Sequence, residues 1–397
     1  MSEKRKDHKG RILRTGESQR KDLLYQYRYT DIRGKRQTIY ATDLKELRDK
    51  EKVIQRQVDD GLDYTAGKIT VIELLERYLG IKKGMRYNTR VGYSFVLNVA
   101  KKEDFGYRTI RDIKVSDAQI WMIKLHEDGK RYSSLACIKC VMKPAFQMAY
   151  NEDIIRRNPF DFKLTDVVKN DSEKRVALTE EQQEIWMGFI REDKTYCKYY
   201  DEFVVLLRTG MRVSEMCGLT RSDLDFENRK IRVDHQLVRE RGGRYYVEKT
   251  KTECGCRFLP MTDEVYQSLK NIVTHRKKLK TEMMVDGYSG FILLDKNARP
   301  KVALHIENEM RWAMKKYKSL YPNKPLPHIT PHVFRHTFCT NMANAGLDVK
   351  NLQYLMGHSD IGVTMNVYTH TGYDRAAAQM AKVIELKNAD QGTKQIL

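Results

Sequence analysis

Residues 329–370 read ITPHVFRHTFCTNMANAGLDVKNLQYLMGHSDIGVTMNVYTH, and no other stretch limits so tightly what the chain can become. Thr330 is a suitable helix N-cap, and Pro331 stands where the first helical amide would be unpaired anyway. The spacing predicts a helix to about Ala345, stopped by Gly346 in the left-handed conformation. On a helical projection His332, Arg335, His336 and Cys339 share one face, while Phe334, Phe338, Asn341 and Ala345 share the other. That pattern predicts a core stripe opposite a polar face open to chemistry. A short helix is expected over 349–356, closed by Gly357, with His358 directly after it and Tyr368 ten residues further on. Upstream, LLRTGMRVSEMCGL over 206–219 sets Arg212 just behind a Gly210 break between two apolar segments.

Taken singly, such residues say little: a lone histidine on a helix is usually a boundary residue, and a lone arginine near a glutamate a solvated pair. The ordered set says more: Arg, then H-x-x-R-H, then G-H, then Tyr. It resembles the tyrosine recombinase (phage integrase) family, whose pattern is an arginine in T-G-x-R-x-S-E, then H-x-x-R, G-H and a nucleophilic tyrosine. By that resemblance Arg212, His332, Arg335, His358 and Tyr368 take the catalytic positions. The family also implies a catalytic lysine on the turn between the second and third strands of a small sheet. Lys249 and Lys251 both stand in such a place. The run of Lys-Thr, a small loop and then Arg-x-x-Pro favours Lys251, nine residues before Pro260, although Cys254-Gly255-Cys256 departs from the family pattern.

These residue types suit attack on a phosphodiester, whose charge repels nucleophiles and whose 5′-oxygen leaves poorly. Two guanidiniums, always charged and able to fork onto two oxygens, would hold the phosphorane: Arg212 and Arg335, with His358 donating a further hydrogen bond. Tyr368 would attack and leave a 3′-phosphotyrosyl link; with a reference pKa of about 10 its phenol needs help losing a proton. His332 is the expected base and Lys251 the acid for the leaving oxygen. Glu215, three residues after Arg212, reads as an orienting residue and His336 as structural. No cofactor or metal is expected: there is no phosphate-binding glycine loop, no H-E-x-x-H and no acidic metal cluster.

Composition points to the same partner. Seventy-three Lys and Arg against fifty-three Asp and Glu leave a net charge of +20, which favours nucleic acid over an anionic membrane surface. No apolar run reaches a membrane-spanning length, and the charged N-terminus has no apolar segment behind it, so a bacterial cytoplasmic, nucleoid-associated protein is expected. Seven cysteines, an odd number, argue against a disulfide framework. The pairs Cys137/Cys140 and Cys254/Cys256 fall in what read as separate domains, so a shared zinc site is not expected.

Taken in order, the chain reads as multidomain and mainly α with small antiparallel sheets (α+β). Residues 1–65 begin as a basic arm. Strands are expected over 11–15, 23–30 and 35–40, the second alternating Tyr25, Tyr27 and Tyr29 with Leu24, Gln26, Arg28 and Thr30, and a helix opens at an Asp43–Glu46 capping pair. This unit resembles the arm-DNA-binding domain of conjugative-transposon integrases. After a linker near 61–68, residues 66–162 read as an all-α unit resembling the family's core-binding domain, in which Pro144 should kink or divide the last helix. Residues 163–177 are polar and read as an interdomain linker, and 178–397 as the catalytic domain. Within it, 225–261 reads as one three-stranded antiparallel sheet, and 374–386 as a helix whose Met380, Val383, Ile384 and Leu386 need a partner surface. The resemblance implies double-stranded DNA as substrate, at core and arm sites. It also implies a homo-oligomer on DNA, a tetramer exchanging that last helix in trans, and an accessory protein for excision. Two rivals share parts of the pattern: a type IB topoisomerase, and a regulator that kept the fold without its chemistry. Neither explains an arm-like domain joined to a complete set of catalytic positions.

Overall fold

The computed structural model describes residues 5–30, 36–59, 69–172, 176–250, 253–368 and 380–381, apart from the side chains of residues 56–59, 253, 366 and 368. The chain divides into two compact units, Met1–Glu173 and Lys174–Leu397. The architecture is mainly helical with small antiparallel sheets.

The first unit opens with an antiparallel meander of β1 (Glu17–Gln19), β2 (Tyr25–Thr30) and β3 (Arg36–Ala41). The strand expected over 11–15 does not form. Asp7 instead accepts from the amides of Lys9 and Arg11 and from Arg11 Nε, which winds that segment into a turn. The tyrosine alternation holds: Tyr25 and Tyr27 pack with Leu44 and Leu47 of helix α1 (Leu44–Asp59). Asp43 caps α1 where expected, accepting from the Lys45 amide, whereas Glu46 reaches back to the Thr42 amide and hydroxyl. On the sheet's other face Arg28, Arg36, Thr38 and Tyr40 are exposed.

Helices α2 (Val71–Ile81), α3 (Tyr87–Ala100), a short α4 (Asp104–Tyr107), α5 (Val115–Glu127) and α6 (Tyr132–Asn151) follow. The Thr70–Glu73 capping box opens α2 as its spacing predicts. Pro144 does not divide α6, which runs through it; the Asn158 side-chain amide donates to the Lys143 carbonyl beside the proline. Phe105 stacks on Trp121 with ring centroids 4.3 Å apart, and Phe160 lies edge-on to both. Leu164 and Val168 are buried in this same core, so the polar stretch after Phe162 is anchored before it departs. The linker expected near 61–68 lies outside the described residues.

The second unit begins with α7 (Glu180–Glu192), opened by a Thr179–Gln182 box, followed by α8 (Tyr200–Thr209) and α9 (Val213–Gly218). After α9 the structure departs from the single sheet expected over 225–261. β4 (Leu224–Asp225), β5 (Lys230–Val233) and β8 (Arg257–Pro260) form one sheet, and β6 (His235–Arg239) with β7 (Tyr245–Lys249) a separate hairpin. The chain leaves the sheet at Asp234, the one residue between β5 and β6, and returns only when Arg257 pairs with Val233. Alternation shows that a segment is a strand, not which strand it joins. α10 (Asp263–His275), α11 (Ala303–Leu320), α12 (Pro331–Asn344), α13 (Val349–Met356) and α14 (Ile361–Tyr368) complete the described unit around Trp186, Phe203 and Phe334. Of the helix expected over 374–386 only Met380 and Ala381 are described, both helical, with Met380 exposed. Among the described residues no helix is long and apolar enough to cross a membrane.

Candidate active site

Two local features prepare the site. Helix α8 ends at Gly210, whose φ of +64° is left-handed and whose missing Cβ would lie 2.3 Å from the Phe338 ring. The chain therefore turns there against α12 and presents Arg212 as the N-cap of α9. Helix α13 ends at Gly357, also left-handed at φ +62°, with its last carbonyls open to side-chain donors.

Three arginines take those carbonyls in succession. Arg257 Nε donates to Leu355 O at 2.7 Å, Arg335 Nη2 to Met356 O, and Arg212 Nη2 to Gly357 O at 3.2 Å. A helix C-terminus carries partial negative charge, which favours gathered cations. Arg335 spends a second donor on Gly210 O at 2.6 Å, joining the C-terminal ends of α8 and α13. A Cβ on Gly357 would lie 2.9 Å from Arg257 Nη1, so the glycine that turns the chain also makes room for the guanidinium.

Glu215 counters this charge from below. It accepts from Arg212 Nη1 at 2.7 Å and from Arg257 Nη2 at 2.9 Å. Burial by itself raises a carboxyl pKa, but the Arg257 and Arg212 guanidiniums outweigh it and hold Glu215 below the usual carboxylate range. Arg335 is pushed down to about 9 by burial and by repulsion from Arg212, and remains a cation at neutral pH. One carboxylate among three guanidiniums leaves the cluster positive, a state that an incoming phosphate relieves.

Arg212, His332 and Arg335 line a common cavity of about 510 Å³, together with Arg311, His328 and Thr330. The polar face expected on α12 is only partly open: His332 is exposed, whereas Arg335 and Cys339 are buried because neighbours cover α12 on most of its circumference. His358 follows Gly357, its Nδ1 3.0 Å from the buried Thr364 hydroxyl. Burial and the neighbouring arginines push His358 down to about 4, so it is neutral at pH 7. His336 is half-buried on α12. Tyr368 is the last residue of α14, its side chain outside the description. Lys249 ends β7 and is exposed, and Lys251 lies outside the described residues. Arg257 is the member that sequence reasoning missed; the Arg-x-x-Pro run was its only trace.

The model of the phage integrase family matches residues 176–375, which takes in this whole site. The chain belongs to the phage integrase family of tyrosine recombinases. A second family model, the DNA-binding domain of Tn916 integrase, matches residues 1–58 of the recombinase. The transposase from transposon Tn916 of Enterococcus faecalis is 43% identical over 404 residues, covering 98% of this chain and 99% of its own. The transposase from transposon Tn1545 of Streptococcus pneumoniae shows the same identity and coverage. Among solved structures, the Tn1549 transposon integrase in complex with a circular intermediate DNA superposes with a TM-score of 0.76 at 41% identity, covering 79% of this chain and 99% of that one. The recombinase is a DNA-binding integrase of the conjugative-transposon type.

Proposed function

We propose that this integrase cuts and rejoins the ends and the circular intermediate of a mobile element through a 3′-phosphotyrosyl intermediate on Tyr368. What supports the assignment of roles is the convergence of Arg212, Arg335 and Arg257 on the end of α13, directly before His358, which itself lies ten residues before Tyr368. Arg212 and Arg335 bind the non-bridging oxygens, and the positive cluster favours the extra charge of the phosphorane. His358, neutral, receives a hydrogen bond from Thr364 at Nδ1 and donates from Nε2 to the same phosphate. His332, exposed in the cavity, takes the phenolic proton. Lys251 gives a proton to the departing 5′-oxygen, with Lys249 as the other candidate. Glu215 and Arg257 orient Arg212. The broken bond's energy is kept in the phosphotyrosine, so a 5′-hydroxyl from another duplex reverses the step without a nucleotide cofactor.

The same reading divides the chain into an arm-DNA-binding domain (1–65), a helical core-binding domain (66–162), a linker (163–177) and the catalytic domain (178–397). The exposed Arg28, Arg36, Thr38 and Tyr40 suit a sheet lying in a major groove. Exchange of two duplexes needs four strand cuts, hence four protomers. A groove of about 500 Å³ lined by Leu207, Leu259, Phe338, Met342 and Leu355 suits the apolar face of a neighbour's 374–386 segment. An accessory protein selects excision, and the site of action is the bacterial cytoplasm, on the nucleoid.

The test is a nicked suicide DNA carrying the element end, with wild-type protein and Tyr368→Phe. A metal-independent covalent adduct on the 3′ side of the cut that vanishes in the variant is expected. An adduct surviving the substitution would show that another residue is the nucleophile, and DNA binding without an adduct in either protein would favour a regulator.

A further inference from the structure

The described residues on either side of positions 251–252 are fastened to the helix that follows Arg212. At the far end, Arg257 holds Gly255 O at 3.0 Å and Glu215 of α9 at 2.9 Å. At the near end the fastening is His235, a buried residue that faces Lys249 across the β6–β7 ladder. Its Nε2 lies 2.7 Å from Gly218 O, the last residue of α9, and its Nδ1 meets the Asp234 carboxylate. The Tyr288 ring packs on the imidazole with centroids 4.2 Å apart. The Asp234 carbonyl accepts from the amide of Thr250, the first residue past β7, at 3.2 Å.

A second bridge runs parallel to the first. Ser214 of α9 donates to Gln236 Oε1 at 2.9 Å, and Gln236 Nε2 donates to Glu248 at 2.8 Å. The acidic groups beside His235 are already engaged. Asp223, Asp234 and His235 bring ligand atoms within 4.8 Å of one another, but Arg232 pairs with both carboxylates, and the set is an ion network.

We propose that His235 is a positioning residue for leaving-group protonation: through Gly218 it fixes the β6–β7 hairpin, which ends in Lys249 and precedes Lys251 in sequence, against the helix that follows Arg212. This rests on the reading above that Lys251 or Lys249 is the general acid. In the step concerned, the Tyr368 oxygen bonds to phosphorus, the bond from phosphorus to the 5′-oxygen breaks, and the lysine ammonium gives its proton to that oxygen. A displaced lysine slows the proton transfer and leaves DNA binding and phosphate charge stabilisation intact.

Sulfur in place of the bridging 5′-oxygen separates these effects. A thiol has a pKa of about 8.5 and departs as the thiolate without a proton donor. Cleavage rates of nicked element-end DNA with oxygen or sulfur at that position are measured for full-length wild type, His235→Gln, Gln236→Leu, Lys249→Ala and Lys251→Ala. His235→Gln is expected to slow the oxygen substrate by about 10- to 100-fold while the sulfur substrate stays within about threefold of wild type. Gln236→Leu should move the same way by less. The lysine whose variant sulfur rescues is the acid. Rescue of a lysine variant together with equal slowing of both substrates by His235→Gln, or slowing of neither, overturns the proposal. If sulfur rescues neither lysine variant, the general-acid reading fails first. Should His235→Gln melt below the assay temperature, the half-exposed Gln236 decides by the same comparison.

Discussion

Glu215 and Arg257 form the buried pair on which the exposed chemistry rests, with side chains 2% and essentially 0% accessible. Removing one member of such a pair leaves the other charged and desolvated. Arg257→Met is therefore expected to lower unfolding free energy by about 3 kcal/mol or more, read from the denaturant midpoint, and to abolish adduct formation because Arg212 loses its anchor. His358 makes a pH prediction. Its folded pKa is depressed to about 4 from an ordinary 6.5, so the unfolded chain binds more protons between those values. Its contribution to stability is present above pH 6.5 and lost as pH falls toward 4. The stability difference between wild type and His358→Asn should thus be larger at pH 7 than at pH 4.5 in thermal melts of the DNA-free protein. A difference that grows on acidification would contradict the burial of a neutral imidazole.

At the scale of elements, the end of α13 does the work of a scaffold. Gly357→Ala adds a Cβ in a left-handed conformation, about 1–2 kcal/mol of strain, and sets it against Arg257 Nη1. The expected outcome is a modest drop in melting temperature with a loss of cleavage of tenfold or more. The size of the second effect reflects displacement of three arginines at once. A variant as active as wild type would show that the carbonyls of α13 do not set the arginine positions. The expected stop signals of α8, α12 and α13 were legible because a cap is a local event, decided by a glycine and the residues just before it. The hairpin of β6 and β7 was not legible, since strand partnership depends on what closes over each edge.

For the whole molecule, a net charge of +20 makes binding to DNA a counterion-release process. Affinity should fall by about 10³-fold or more from 50 to 200 mM salt. A chain beginning after residue 65 should keep forming the adduct at the element end, as the arm-like sheet holds none of the proposed catalytic residues, while the slope of log affinity against log salt becomes shallower. An unchanged slope would mean that the sheet's exposed Arg28 and Arg36 do not contact phosphates.

The sequence by itself determined the multidomain, mainly helical class, most helix boundaries, the partner implied by charge, and the order Arg212, His332, Arg335, His358, Tyr368. Those follow from spacing, capping and composition, which act within a few residues or sum over all of them. Only the tertiary structure decided that Arg257 joins Arg212 and Arg335 at the end of α13, that Arg335 is buried, and that His235 ties a strand to α9. The three bonds to the end of α13 join residues 98, 21 and 145 positions apart. A guanidinium's pairing is set by which carbonyls and carboxylates remain open after the helices pack, and no local pattern encodes that.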